Sequence, residues 1–260
     1  MNFDLSEDQI AFQNLASEFA ANELAPNAAK WDSDSKFPID VIKKAGDLGF
    51  CSLYISEEDG GMALGRLDAS IIIEQLSMGC TSTTAFITIH NMATWMISNF
   101  GPKNLRQEWT PSLCSGKKLA SYCLTEANAG SDAASIKTTA KKEGNNYIIN
   151  GSKSFISGSG STDCLVLMAR TGKEGAGGIS CFLVPGDTDG IEYGKKEEKM
   201  GWKSQPTRIV SLSDVKIPQS NLIGKEGEGF KIAMKGLDGG RINIATCSIG
   251  TAQAALIEAQ

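Results

Sequence analysis

The sequence predicts an α+β multidomain protein with an N-terminal helical domain, a central β-barrel-like domain and the start of a C-terminal helical bundle. Three observations predict it. Apolar residues recur at helical spacing, between helix start and stop signals, from residue 1 to about 117. From about 119 the pattern shifts to short β-rich runs separated by turn residues. Near Asn221 helical spacing returns and persists to the last residue, giving domains at 1–117, 118–222 and 223–260.

Ser6 and Gln9 have capping-box spacing ahead of Ile10, Phe12, Leu15, Phe19 and Leu24, on a helix that Pro26 helps to end. Pro38 suits the first turn of the next helix, which stops near Gly49. Ile71, Ile72 and Ile73 alone would suit a strand. The long apolar pattern through Leu76, and from Ala85 to Ile97, favours a buried helix instead, followed by Gly101-Pro102 and a helix over Leu105 to Leu113. In the central region Tyr147-Ile148-Ile149 and Ser152 to Ile156 flank Asn150-Gly151. That dipeptide is a hairpin signal, because both residues tolerate the positive φ of a type I′ turn. Further strands fit Cys164–Ala169, Ile179–Val184 and Arg208–Leu212, and Gly172 to Gly178 reads as an exposed loop.

The last segment places Phe230, Ala233, Met234 and Leu237, then Ile242 through Ala255, at helical spacing. Ala254 to Gln260 contain neither Gly nor Pro while the apolar stripe is still running, so most of a C-terminal helical domain is expected beyond Gln260.

A formal charge of −5 over 260 residues gives no general electrostatic reason to bind nucleic acid or an anionic membrane. No run approaches the roughly 20 apolar residues that span a bilayer. Met1 to Leu5 carry no basic n-region and no Arg-rich presequence, so the protein stays where it is made or a targeting segment lies outside this sequence. The seven cysteines are scattered without a Cys-x-x-Cys pair, and His90 is the only histidine. No metal site is expected, and the cysteines read as buried, reduced thiols. His90 reads as packed and hydrogen-bonded rather than catalytic.

Two hydroxyl-bearing segments stand out. Tyr122-Cys123-Leu124 runs into Thr125-Glu126 and then a small-residue loop ending at Gly130-Ser131-Asp132. Lys153-Ser154-Phe155-Ile156-Ser157-Gly158-Ser159-Gly160 follows closely. Such loops can present several N–H and O–H donors to one planar, polar-edged ligand. The plainer alternative is a strand over Tyr122–Glu126 and a turn over Ala127–Asp132, where Ser, Asp and Gly are ordinary residues. A third constellation, Gly236-Leu237-Asp238-Gly239-Gly240-Arg241, lies in the returning helical pattern. Two adjacent glycines in a helix cost about 2 kcal/mol against alanine, which points to a close approach or a required bend. Arg241 alone would suit a solvated or salt-bridged surface position.

Together these segments resemble the acyl-CoA dehydrogenase family, and the resemblance runs along nearly the whole chain. Gly79 to Ala85, Ile89 to Met92, Met200 to Arg208 and Gly239 to Ser248 look most like its isobutyryl-CoA branch. The resemblance implies an FAD site lined by Tyr122, Cys123, Leu124, Thr125, Gly130, Ser131, Phe155, Ile156 and Ser157. Thr125 and Ser157 would donate to the flavin edge and N5, Phe155 would supply an apolar wall, and Leu124 would pack on the ring; the redox chemistry belongs to the flavin. It also implies that Ser131, Asp238, Gly239, Gly240 and Arg241 contact an acyl-CoA.

By the same resemblance the complete protein would oxidise a short branched acyl-CoA, isobutyryl-CoA to methacrylyl-CoA, in valine breakdown. It would pass electrons to electron-transferring flavoprotein and assemble as a homotetramer. Its place would be the cytoplasm of a bacterium, or the mitochondrial matrix of a eukaryote. The family usually has Pro-Gly where Ala127-Asn128 stands here, and the turn is expected to survive because Asn tolerates left-handed geometry.

The family's reaction needs a carboxylate over the substrate α-carbon. In most branches that glutamate lies beyond the position of Gln260; in others it precedes the arginine matching Arg241, where this chain has Gly240. No base is assigned within the chain, and Glu126 is read as structural. Two other classes stay open: a non-catalytic acyl-CoA-binding or subunit-interaction module, and an acyl-CoA oxidase-like enzyme that passes electrons to oxygen.

Overall fold

The computed structural model describes residues 4–260. The stretch read for targeting signals therefore falls partly outside the described residues. Helix α1 (Glu7–Phe19) starts with the expected capping box: the Ser6 hydroxyl accepts from the Gln9 N–H, and the Gln9 side chain accepts from the Ser6 N–H. Pro26 does not end this helix. The chain passes through a π-helical turn at Ala20–Leu24 straight into α2 (Ala25–Ser33), whose first turn holds Pro26. The widened turn breaks the regular hydrogen-bond ladder just where proline would have broken it, so the missing N–H is tolerated.

Helix α3 (Ile39–Asp47) follows Pro38, and the chain leaves it through Gly49 at φ +82°. Ile71 to Ile73 are buried in the long helix α4 (Arg66–Phe100), as the length of the pattern required. This helix kinks at Cys80, whose backbone is extended (φ −158°, ψ 99°). A Cβ on the preceding Gly79 would lie 2.8 Å from the Ala20 carbonyl oxygen, so the helix passes the π-turn at backbone contact. Helix α5 (Lys103–Cys114) completes the N-terminal unit. Its core gathers Phe19, Leu24, Trp31, Ile42, Phe50, Ile72 and Phe86.

Eight strands follow: β1 (Ala120–Cys123), β2 (Thr139–Glu143), β3 (Asn146–Ser157), β4 (Cys164–Arg170), β5 (Ile179–Pro185), β6 (Ile191–Tyr193), β7 (Thr207–Pro218) and β8 (Leu222–Ile223). They form one sheet in the order β6-β7-β3-β2-β4-β5-β8, with β1 parallel to β4. The sheet curls round its own core but is open, which corrects the barrel-like expectation. Its edge strands β6 and β8 are three and two residues long, and among the described residues no pairing joins them.

Strand β4 explains why its sequence reads as a continuous apolar run. Val166 and Met168 face the helices, while Leu165 and Leu167 face the sheet's own core with Tyr147, Phe182 and Leu212. Asn150-Gly151 is not a hairpin. Strand β3 runs through it with a register shift, Gly151 sits at φ +150°, and a Cβ there would come 2.5 Å from the Thr138 hydroxyl. Asn150 bridges the irregularity by exchanging hydrogen bonds with Asp214 on β7. The hairpin turn is Gly144-Asn145, between β2 and β3.

Helix α6 (Gly229–Ala259) starts later than the sequence pattern, after turns at Gly224 and Gly227 with positive φ. It runs unbroken through Gly239-Gly240, so the glycines mark close approach and not a bend. A Cβ on Gly250 would lie 2.3 Å from the Glu74 carbonyl oxygen of α4. The helix thereby joins Met92 and Met96 of α4 and Val166 and Met168 of β4 in one core, through Ile232 and Ala233. All seven cysteines are buried and free. Among the described residues no helix is long and apolar enough to cross a membrane.

Candidate functional site

The ends of β1 and β3 are tied together by a buried ion pair. Lys153 has no exposed side-chain surface, and its Nζ donates to the Glu126 carboxylate at 2.8 Å and to the Leu124 carbonyl at 3.0 Å. The same carboxylate accepts from the backbone N–H groups of Lys137 (2.6 Å) and Thr138 (3.0 Å). Burial alone would raise the Glu126 carboxyl, but the Lys153 charge and these donors together hold it below its ordinary range. Burial pulls the Lys153 ammonium down, and Glu126 only partly opposes this. A backbone bond from Ser154 N–H to Thr125 O (2.9 Å) completes the tie. Thr125 and the β3 terminus are thus fixed against each other around a fully buried Lys153 ammonium.

Beyond Lys153 the register shifts again, and Phe155 takes a left-handed backbone (φ +58°). The phenyl ring is turned outward and is 66% exposed, an unusual position for an apolar ring held by so ordered a strand. Ser157 follows. Its hydroxyl accepts from Gln205 Nε2 at 2.6 Å, and its carbonyl accepts from the Ser121 hydroxyl at 2.6 Å. Gly158 (φ +78°) has no room for a side chain, since a Cβ would lie 2.4 Å from the Phe86 ring.

The strand period sends four of the nine predicted cofactor residues to opposite sides of the sheet. Tyr122 and Leu124 face the helical side, next to Met92, Met96, Phe230 and Met234. Cys123 and Ile156 point into the sheet core, so only their backbone can meet a ligand. Burial pushes the Cys123 thiol up to about 12, which keeps it protonated and inert. Gly130 and Ser131 lie on an exposed loop, and the space where Gly130 would carry a side chain is open. The loop is closed by reciprocal bonds between Glu126 and Ala129 at 3.1 Å. Asn128 is not left-handed, so the turn forms without the geometry that the sequence pattern invoked for it.

These groups suit a planar ligand with a polar edge. Thr125 is half-buried, and the Ser157 hydroxyl keeps its own proton available. The buried Tyr122 hydroxyl has no hydrogen-bond partner, and burial raises it above the ordinary phenol range. Among the described residues no group of three or more His, Cys, Asp or Glu side chains is placed to hold a metal ion.

On α6, Asp238 and Arg241 are each about three-quarters exposed and pair at 3.5 Å across one turn. Gly240 lies over Met92, with 3.2 Å between a Cβ there and the sulfur. Gly239 is buried, and a Cβ on it would meet the Arg66 guanidinium at 2.2 Å. Arg66 in turn stacks on the Tyr54 ring, 3.8 Å from its centroid, and the Tyr54 hydroxyl donates to Asn243 at 2.6 Å. Burial raises the Tyr54 phenol although Arg66 opposes it. Sequence reasoning missed Arg66, Tyr54 and Asn243. The only local signal was Gly239, which announced a close approach without naming the approaching group.

His90 is structural. Its Nε2–H donates to Leu113 O (2.9 Å) and its Nδ1 accepts from Ala120 N–H (3.1 Å). Burial, the largest influence, lowers its pKa to about 4, so the ring is neutral at ordinary pH.

The profile of the acyl-CoA dehydrogenase N-terminal domain matches residues 6–117, and that of the acyl-CoA dehydrogenase middle domain matches residues 121–215. The mitochondrial isobutyryl-CoA dehydrogenase of Bos taurus is 53% identical over 98% of this chain. The chain spans 62% of that protein's length. The butyryl-CoA dehydrogenase of Megasphaera elsdenii superposes with a TM-score of 0.95 at 35% identity, over all of this chain and 69% of that one. PigA, solved with FAD and proline, superposes with a TM-score of 0.96 at 30% identity, over 99% of this chain and 68% of that one. The chain belongs to the acyl-CoA dehydrogenase family.

Proposed function

We propose that these 260 residues belong to an FAD-dependent acyl-CoA dehydrogenase that converts isobutyryl-CoA to methacrylyl-CoA in valine breakdown. The observation that carries the reading is the buried Lys153–Glu126 pair, which with the Ser154–Thr125 backbone bond ties Thr125 to strand β3 just ahead of the outward Phe155 ring and Ser157. The 53% identity to a relative named for isobutyryl-CoA supports the branched substrate.

When bound, FAD supplies the two-electron acceptor. Thr125 and Ser157 donate hydrogen bonds to its polar edge, and Leu124 packs on the ring. Phe155 walls off the face away from the substrate and excludes water there. Gly130 and Ser131 leave the loop open for the cofactor and for the pantetheine arm of the acyl-CoA. Asp238, Gly239, Gly240 and Arg241 receive the acyl-CoA along α6, where Arg241 is exposed and carries positive charge.

Each of the nearby carboxylates is already engaged by a group of this chain. Glu126 is held by Lys153 and two N–H groups, Asp132 accepts from Ser135, and Asp238 pairs with Arg241. By the family resemblance, and because the chain spans 62% of the bovine relative's length, the reading assigns the base and the homotetramer contacts to residues outside these 260. Electron-transferring flavoprotein is the proposed acceptor of the electrons.

The test is to purify the intact, natively expressed protein, record its visible spectrum, and add isobutyryl-CoA without oxygen. Bound FAD that bleaches supports a dehydrogenase. A stable, flavin-free protein with no bleaching would overturn the reading in favour of a non-catalytic module. Rapid reoxidation of the bleached flavin by air would instead favour an oxidase.

A further inference from the structure

The segment between β6 and β7 places one buried amide against the proposed cofactor edge. Gln205 is 3% exposed, and its Nε2 donates to the Ser157 hydroxyl at 2.6 Å. Its side-chain oxygen is buried without a partner. A serine hydroxyl has one proton to give and accepts through its lone pairs. Because Ser157 receives the Gln205 proton, and among the described residues no other group bonds its hydroxyl, its own proton is left to point away from Gln205.

Gln205 does not drift, because the loop that carries it is pinned at four places. Lys203 N–H donates to Asp32 on α2 at 2.8 Å, and the Ser204 hydroxyl donates to Ser82, beside the α4 kink, at 2.6 Å. Lys199 Nζ donates to the Gln205 carbonyl at 2.6 Å, and Gly158 N–H donates to Pro206 O at 2.7 Å. Three of these anchors are not local in sequence, and together they fix the placement of one buried amide.

We propose that Gln205 is a positioning residue: its amide donates to the Ser157 hydroxyl and directs the serine proton toward the bound flavin. This rests on the flavin reading given above. Receiving a hydrogen bond also strengthens the hydroxyl as a donor. The inverted arrangement, in which Gln205 accepts from Ser157, would turn the serine proton away from the cofactor. Gln205→Glu enforces that inverted arrangement, since a carboxylate can only accept.

The test is a double-mutant cycle on FAD affinity, measured by titrating the apoprotein and following flavin fluorescence, with Gln205→Met, Ser157→Ala and the pair. Gln205→Met should weaken FAD binding roughly five- to tenfold when Ser157 is present, the worth of one hydrogen bond. In the Ser157→Ala background it should change binding less than about twofold. The visible band of the flavin bound to Gln205→Met should move toward that of Ser157→Ala, which a merely structural role would not produce. If Gln205→Met fails to fold, Gln205→Glu takes its place and should weaken binding by at least as much. Equal effects of the Gln205 change in both backgrounds, or no effect in either, would overturn the proposal while leaving the flavin site intact. A Ser157→Ala protein that binds FAD normally, with an unaltered band, would overturn the flavin reading itself.

Discussion

Replacing Lys153 with Met keeps most of the side-chain volume and removes only the charge and its hydrogen bonds. Two things change at once. The Leu124 carbonyl loses its 3.0 Å donor, and the largely buried Glu126 carboxylate loses its counter-ion. The carboxylate keeps its two backbone donors from Lys137 and Thr138. Breaking a buried pair from one side costs about 3–5 kcal/mol, and the remaining donors place this case near 3. That is a large share of the about 5–15 kcal/mol that holds a typical protein folded.

The assay is denaturant unfolding of the apoprotein at neutral pH, repeated in acid. Lys153 and the amide donors hold Glu126 below its unfolded value of 4.5. Its contribution is therefore fully present above that value and is lost as pH falls through the lower folded value. In Lys153→Met the carboxyl should lie higher than in the wild type, because only the Lys137 and Thr138 donors are left to oppose burial. Protonation then removes the buried charge, and the gap between wild type and variant should narrow in acid. A neutral-pH loss under about 1 kcal/mol, the range of exposed pairs, would refute the idea that this pair frames the site. So would a gap that does not change with pH.

The remaining expectations use the same kind of reasoning. His90, at about 4 folded against 6.5 unfolded, takes its proton only in the unfolded chain between those values. Stability should fall by about 3 kcal/mol as pH drops from 6.5 to 4, and His90→Gln should flatten that part of the urea-unfolding profile. Gly250→Ala should destabilise by about 1–2 kcal/mol although alanine favours helices, because its Cβ would press on the Glu74 carbonyl. Gly240→Ala meets only the flexible Met92 sulfur and should be neutral or slightly stabilising; thermal melts of both variants decide. Thr125→Val and Ser157→Ala should each weaken FAD binding by up to roughly tenfold or shift its visible band. Unchanged binding and spectra in both would count against the donor roles.

Much of the fold was legible because its signals are local. The Ser6 and Gln9 box and the length of the pattern around Ile71 needed only neighbours in sequence to be read. The errors share a cause: each turned on a partner far along the chain. Asn150-Gly151 has the chemistry of a hairpin, but Thr138 and Asp214 make it a bulge inside a strand. Pro26 has the chemistry of a stop, and the π-turn packed against Gly79 lets the helix continue. The sheet looked barrel-like because its strands alternate round one core. Whether such a sheet closes depends on two edge strands of three and two residues, too short to register as strands in the pattern.

The site divides the same way, and the division says what a motif can and cannot convey. In the proposed site, runs such as Tyr122 to Thr125 and Phe155 to Ser157 mark where a backbone approaches the ligand, but strand alternation sends every second side chain elsewhere, as Cys123 and Ile156 show. The residues proposed to hold the donors in place, Lys153, Glu126 and Gln205, are polar groups largely withdrawn from water. Their positions make sense only once their partners, 27 and 48 residues away, are known. A buried polar group without such a partner would be costly. Each one found in a strand terminus or loop beside a motif is therefore evidence that the motif's geometry is held by design of the fold and not by the motif. Arg66 against Gly239 is the same case in reverse: the glycine was visible in sequence because it lacks a side chain, and the cation that fills the space was not.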